Sequence, residues 1–284
     1  MKQSPKLLQS PKLQQSSKLI DRICLVLIVF MVYVFLNFCA GIYYLRSTNL
    51  PEKETLNGQS EKAKLAPKYK LHIQNDTLFF KGEINSSSID KAFKLVNEHN
   101  ITTINIDSPG GSVDVAMDFA EWMRDNKIKL VIENECFSSC ANYFIPAAAS
   151  VLVKSGTIVG WHGGALQKEW NYAYPWYLYV FPLRIIDDYL SSQAWIQRES
   201  DFYKSVKVSR FLPVIGQSAK YTHPDSKLYY SGWNYDLATL NRLGLTHVTI
   251  EDNQLLTEAD DDQISVWQIS LTSKQLDDFK VSDL

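Results

Sequence analysis

The sequence predicts an α/β domain on a mainly parallel sheet, preceded by a single apolar helix. Two observations carry the domain. Apolar runs of strand length alternate with helically spaced segments from Lys70 to Ile250, and two periodicities of this kind separate strands from helices. Between Thr102 and Trp161 the order reads strand, helix, strand, helix, strand, the signature of βαβ units. A third observation carries the apolar helix: from Ile23 to Leu45 the one strongly polar side chain is Asn37, and such a run is long enough to cross a bilayer.

Residues 1–19 repeat Lys, Gln, Ser and Pro, with Gln-Ser-Pro-Lys-Leu at 3–7 and again at 9–13. They read as a solvated, disordered tail. Lys2, Lys6, Lys12, Lys18 and Arg22 precede the apolar run, whereas Arg46 and Lys53 alone carry positive charge just after it. That bias puts the N-terminus in the cytoplasm, a transmembrane helix at 20–45 and the rest of the chain outside, in the periplasm. A cleaved signal peptide is the alternative, since Cys39-Ala40-Gly41 offers small residues, but the run exceeds a usual signal core and lacks an Ala-x-Ala site. A lipoprotein site at Cys39 is weakened by the bulky Phe38 before it. Residues 46–68, charged and poor in large apolar side chains, read as a linker.

The folded domain is expected over 69–250. Leu71–Ile73 and Thr77–Phe80, separated by Asn75-Asp76, predict a short hairpin. The segment from Ser88 to His99 has helical spacing through Ile89, Phe93 and Val96. Thr102 to Ile106 then reads as a strand, and Val113 to Asp125 as a helix with Met117, Phe119, Ala120 and Met123 on its apolar side. Lys129 to Glu133 predicts a strand, Ser139 to Ala149 a helix, and Thr157 to Trp161 another strand. An aromatic insertion follows at about 165–215. Its block from Trp170 to Phe181, with Tyr172, Tyr174, Trp176, Tyr177 and Tyr179, suits a lid, a subunit interface, a substrate groove, a membrane-resting surface or a local core. Leu183 to Val206 has the spacing of a helix. Residues 237–250 predict a short helix stopped by Gly244 and then a strand. The extension 251–284 is acidic at Asp260-Asp261-Asp262 and suggests one more strand at Ile264–Ile269.

Composition narrows the function classes. With 29 Lys and Arg against 31 Asp and Glu the net charge is −2, which offers nucleic acid no broad attraction. Cys24 and Cys39 lie in the apolar run, leaving Cys136 and Cys140 for the domain. These two fit either a disulfide or a pair of free thiols. With His162 they lack a fourth ligand at usual zinc spacing, so no metal or cofactor is expected.

Three short motifs carry chemistry. Ser108-Pro109-Gly110-Gly111 is a turn joining a buried strand to a helix start, where backbone N–H groups are unpaired and favour negative charge. Ser138 and Ser139 lie at a second junction of this kind, where they serve either as helix N-caps or as a nucleophile. His162, in Gly160-Trp161-His162-Gly163-Gly164, ends a later strand, the place where α/β sheets assemble sites. Oxyanion donors, nucleophile and general base are the inventory of a serine hydrolase.

On these motifs the segment from Leu71 to Ile250 resembles the Clp protease/crotonase superfamily. It is most similar to that superfamily's membrane-anchored or periplasmic Clp-like serine peptidases. The intervals agree: 30 residues from Ser108 to Ser138 and 24 from Ser138 to His162. The block from Cys136 to Ala147 resembles the Cys-x-Ser-x-Cys variant of the periplasmic relatives, which selects Ser138, while a one-residue shift toward the cytosolic Clp subunit selects Ser139. The resemblance implies a spiral of ββα units, His162 as base, Gly111 and the Ser139 N–H as oxyanion donors, and Gly110 shaping the turn. For the third triad member it points to Asp225, with Asp187 and Asp188 as alternatives and a Ser-His dyad if none reaches His162.

The function expected is a membrane-anchored, extracytoplasmic serine endopeptidase acting on peptides or proteins. A homo-oligomer is implied by the resemblance alone. With no nucleotide-binding loop in the sequence, ATP dependence would need a partner. Two rivals share the fold: an inactive membrane-tethered scaffold, and crotonase-type chemistry on acyl-CoA.

Overall fold

The computed structural model describes residues 22–36, 39, 69–167, 183–224, 230–257 and 264–284. They divide into two compact units, 1–61 with 172–191 and 62–171 with 192–284. In the smaller unit residues 22–36 form helix α1, whose side chains from Ile23 to Leu36 are exposed on every face. Among the described residues no helix is long and apolar enough to cross a membrane; the expected span reaches Leu45, outside them. The tail, the linker and the aromatic block from Trp170 to Phe181 also lie outside the described residues.

The larger unit opens with the hairpin β1 (Tyr69–Gln74) and β2 (Thr77–Gly82), antiparallel with Gln74 opposite Thr77. Asn75 takes the left-handed turn position at φ 56°, which asparagine tolerates better than most residues. Helix α2 (Ser86–Glu98) starts at a capping box between Asn85 and Ser88, satisfying two orphan donors at once. β3 (Thr103–Ser108), α3 (Val113–Asp125) and β4 (Lys129–Phe137) follow. After β4 come a five-residue π-turn, Cys140–Phe144, and a three-residue helix α4 (Ile145–Ala147). The helix expected through Ala149 is therefore shorter, and Ala148 has already turned to extended backbone. β5 (Ser150–Val153), β6 (Ile158–Gly160), α5 (Leu183–Val206), β7 (Gly232–Tyr235), α6 (Leu237–Arg242), β8 (Val248–Ile250), β9 (Val266–Ile269) and α7 (Ser273–Asp277) complete the order.

Apart from the β1–β2 hairpin, every strand pair of the main sheet is parallel, in the order β1-β2-β3-β4-β5-β8 with β6 beside β4. The fold is thus α/β with a mostly parallel sheet, as the alternation predicted. Leu78, Phe80, Ile104, Ile106, Leu130 and Ile132 alternate onto one face and are buried. Ala116, Met117, Phe119, Ala120 and Met123 of α3 cover it. Phe119 centres this core, touching the rings of Phe93, Trp122 and Phe144; burying a ring of this size contributes about 1.5–3 kcal/mol.

Two departures from regular pairing position the site. β4 runs four residues beyond Glu133 because it changes partners: residues 129–132 pair with β5 and 135–137 with β6. Its register with β3 slips between Ile106 and Ser108, so that Ser108 lies opposite Cys136. The slip sets the Ser-Pro-Gly-Gly turn beside the end of β4. Residues 264–284 belong to the larger unit: β9 pairs in parallel with β7, and Val266, Ile269, Leu271 and Phe279 are buried.

Candidate active site

Strand β4 ends at Phe137, and the chain turns sharply at Ser138. Ser138 has φ 57°, one of few non-glycine residues at positive φ, a conformation costing about 1–2 kcal/mol for such a residue. It is held from both sides: its N–H donates to Gly160 O (3.0 Å), and its carbonyl accepts from the Asn142 N–H (2.8 Å). A Cys136–Cys140 disulfide brackets it, with the two Cα atoms 5.3 Å apart. The two cysteines are therefore joined to each other and do not offer thiolates to a metal.

The turn aims the Ser138 hydroxyl at His162, with Oγ 2.7 Å from Nε2. Ser139 differs: its side chain is fully buried and its Oγ has no hydrogen-bond partner. Of the two serines, Ser138 is the one the fold joins to the histidine. Neither serine caps the helical turn through its side chain.

His162 follows Trp161, which is fixed to β7 by two backbone bonds, Trp161 N–H to Trp233 O (2.8 Å) and Trp233 N–H to Trp161 O (2.9 Å). Its ring stacks on Phe137 at 5.4 Å with 9° between the planes. Its carbonyl accepts from Gln217 Nε2 (3.0 Å). Desolvation on the packed side holds the imidazole below its usual pKa of 6.5, so it is neutral at pH 7 with a lone pair available. The kinetic consequence has a definite sign. Any hydrolysis run by this pair would fall on the acid side as His162 protonates, with that acid limb in kcat/KM below 6.5; an acid limb above 7 in a pH–rate profile would contradict a neutral His162 as base.

The glycine turn completes the arrangement. Gly110 and Gly111 have φ 91° and 150°. The Ile84 N–H donates to Gly110 O and the Ser112 N–H to Ile84 O, both at 2.8 Å. Those bonds use the groups flanking Gly111 and leave its own N–H outside the ladder. A Cβ on Gly110 would lie 2.8 Å from Ser138 Cβ and 2.9 Å from Ser139 N, so the turn runs directly against the serine. Ser108, fully buried, accepts from the Gly110 N–H at 3.1 Å and braces the turn. The Ser139 N–H opens the helical turn, where no intrahelical acceptor exists.

No family model and no curated protein matches the sequence. Its fold is similar to an enoyl-CoA hydratase from Thermoplasma volcanium, at 9% identity and a TM-score of 0.28 over 34% of this chain and 52% of that one. A methylmalonyl-CoA decarboxylase complexed with 2S-carboxypropyl-CoA is similar at 8% identity and a TM-score of 0.27, over 34% of this chain and 49% of that one. An enoyl-CoA hydratase from Mycobacterium avium subsp. paratuberculosis is similar at 8% identity and a TM-score of 0.26, over 34% and 50%. The chain spans about half the length of these structures. Likeness at this level decides nothing about chemistry, which rests on the site itself.

Among the described residues no carboxylate hydrogen-bonds to His162. Asp225 lies outside the described residues, and Asp187 and Asp188 belong to α5 in the smaller unit. Behind the pair lies a layer of polar residues that none of the three motifs marks. Asn142 Nδ2 donates to Gly163 O (2.9 Å), Tyr203 OH to Asn142 O (2.8 Å), and Glu199 accepts from both Tyr143 OH and the Ala165 N–H (2.8 Å each). One signal for Glu199 was present: it stands four residues after Trp195 and three before Phe202, on the apolar stripe of its helix.

The disulfide carries a second expectation. Without it the strained turn at Ser138 loses its one covalent brace, and relaxing about 1–2 kcal/mol of strain would reduce the competent population roughly five- to thirtyfold. A Cys136→Ser/Cys140→Ser variant should therefore lose about tenfold in kcat. Steady-state kinetics on the oxidised wild type and the folded variant compare the two, and equal kcat values would show that the bond does not hold the turn.

Proposed function

We propose that this chain is a serine peptidase on the Clp/crotonase fold, working by acyl transfer through Ser138. The observation that carries the proposal is the 2.7 Å contact between Ser138 Oγ and His162 Nε2 at a left-handed turn. In this reading His162 Nε2 takes the hydroxyl proton as Oγ attacks the carbonyl carbon of the scissile peptide. The Gly111 and Ser139 N–H groups hold the oxyanion, and His162 returns the proton to the leaving amine. Water then attacks the acyl-serine with His162 again as base, releasing the acid and restoring the serine. Backbone donors of this kind are worth on the order of 100-fold each in rate.

The same proposal places the domain outside the cytoplasmic membrane, anchored through residues 20–45. It is supported by α1, where apolar side chains face outward around the whole helix, a pattern that suits lipid better than water. The substrates are accordingly peptides or membrane-proximal proteins.

The test is a pair of assays on the purified full chain: cleavage of an unfolded protein read by mass spectrometry of the fragments, and turnover of an acyl-CoA thioester read by free thiol. Fragments that disappear with Ser138→Ala support the peptidase. Thioester turnover that survives Ser138→Ala, without proteolysis, would move the chemistry to the acyl-CoA class.

A further inference from the structure

Glu199 is a carboxylic acid in the interior, 1% exposed on α5, and the peptide chemistry above gives it no part. Its two oxygens reach two different segments. One accepts from the hydroxyl of Tyr143, in the π-turn that continues from Ser138, and the other from the N–H of Ala165, three residues beyond His162, each at 2.8 Å. We propose that Glu199 is a positioning residue, a rigid bridge that holds the histidine segment in register with the serine turn. The inference rests on the peptidase reading only in what the register is for.

The surrounding bonds show why a bridge is needed at this point. Asn142 makes a further side-chain link between the two segments, from its Nδ2 to Gly163 O at 2.9 Å. Asn142 is itself steadied by Tyr203, whose hydroxyl donates to its carbonyl at 2.8 Å. Glu199 and Tyr203 are one helical turn apart, so α5 grips the π-turn at two places and the histidine segment at one. The Phe202 ring packs edge-on against Tyr143 at 5.6 Å and seals this layer. A loosened link would let Nε2 drift from Oγ, and misplacement by about 1 Å costs on the order of 100-fold in such reactions.

The environment of Glu199 agrees with a fixed structural acid. Burial raises its pKa to about 7, against the opposing hydrogen bonds from Tyr143 and Ala165. The titratable groups around it are the Tyr143 and Tyr203 phenols, both held well above the ordinary phenol value first by burial and then by the Glu199 charge. Because the folded state holds this proton more tightly than the unfolded chain, stability falls as pH rises from 4.5 through 7. A glutamine has the same shape, accepts from the Ala165 N–H through its oxygen and donates to the Tyr143 oxygen through its nitrogen, and does not ionise.

The experiment uses the full chain as wild type, Glu199→Gln and Glu199→Leu, with Tyr143→Phe cutting the bridge on the serine side should the leucine variant not fold. Three readouts are taken. The rate of fluorophosphonate attachment to Ser138 should fall about 30-fold or more in Glu199→Leu and about tenfold in Tyr143→Phe, and stay within about threefold in Glu199→Gln. The glutamine variant should also lose the decline in thermal midpoint between pH 5 and 8. The third readout is NMR titration of ring-labelled histidine, with the five histidines assigned by substitution. His162 should titrate below 6.5 in the wild type and Glu199→Gln, and return toward the ordinary imidazole value in Glu199→Leu. Wild-type labelling rates in the folded leucine variant, or a glutamine variant as slow as leucine, would overturn the bridge. If the wild type takes no label at all, the peptidase reading fails, and the histidine titration alone decides: an unchanged His162 curve in Glu199→Leu refutes the positioning role.

Discussion

Replacing His162 with alanine is expected to lower kcat for peptide hydrolysis by on the order of 10⁴-fold or more, with KM nearly unchanged. The imidazole touches the Ser138 hydroxyl at 2.7 Å, so its removal takes away the proton acceptor and leaves an alcohol too weakly acidic to attack an amide. Little else should change. The ring lies on Phe137 at 5.4 Å, and its other side faces solvent, so lost packing should cost below about 1 kcal/mol. Kinetics and thermal unfolding of the same preparation check both statements. A loss of less than tenfold in kcat would mean that another base serves Ser138. A collapse in the thermal midpoint would mean that His162 is first a structural residue.

The second large effect belongs to Gly110. An alanine there would bring its Cβ to 2.5 Å from Phe137 O, 2.8 Å from Ser138 Cβ and 2.9 Å from Ser139 N. None of these is the far end of a flexible side chain, so relief requires moving the serine turn itself. Left-handed strain at φ 91° adds to the collision. Gly110→Ala should lose at least about 100-fold in kcat and about 1–3 kcal/mol of stability. Gly156→Ala is the matched control. It has a similar φ of 78°, but an added Cβ meets nothing within 4 Å. It should cost about 1 kcal/mol and leave kcat alone. If both variants lose the same stability and neither loses activity, the turn does not set the geometry of Ser138.

Much of the fold was legible because local pattern and tertiary burial agree in it. The periodicity of Val113 to Asp125 marked α3 at both ends, and Leu183 to Val206 did the same for α5. β5 escaped because Ser150–Val153 follows Ile145-Pro146-Ala147-Ala148-Ala149 without a turn signal, and one continuous apolar run does not reveal where a helix stops and a buried strand begins. β4 was cut short at Glu133 because Asn134 and Glu135 break the apolar pattern. The polar pair sits where the strand exchanges β5 for β6, a change of partners that leaves no local mark. β7 was missed for the same reason, since Trp233 and Tyr235 are buried by β9 and Trp161, both distant in sequence.

At the site, the spacing of Ser108, Ser138 and His162 brought three segments to notice, and the fold joins all three. The Cys-x-Ser-x-Cys resemblance favoured Ser138 over Ser139, and the fold puts Ser138 Oγ against His162 while burying Ser139. The layer of Asn142, Glu199 and Tyr203 depends on α5 packing behind the π-turn, which no interval in the sequence encodes. A glutamate on an apolar stripe was the one local hint of it.

In the proposed mechanism Ser138, activated by His162, is a nucleophile. That role is tested most directly by treating the full chain with a fluorophosphonate and mapping the modified residue by mass spectrometry. One adduct is expected, on Ser138, absent from denatured protein and lost in His162→Ala. An adduct on Ser139, or none on folded wild-type protein, would contradict the mechanism.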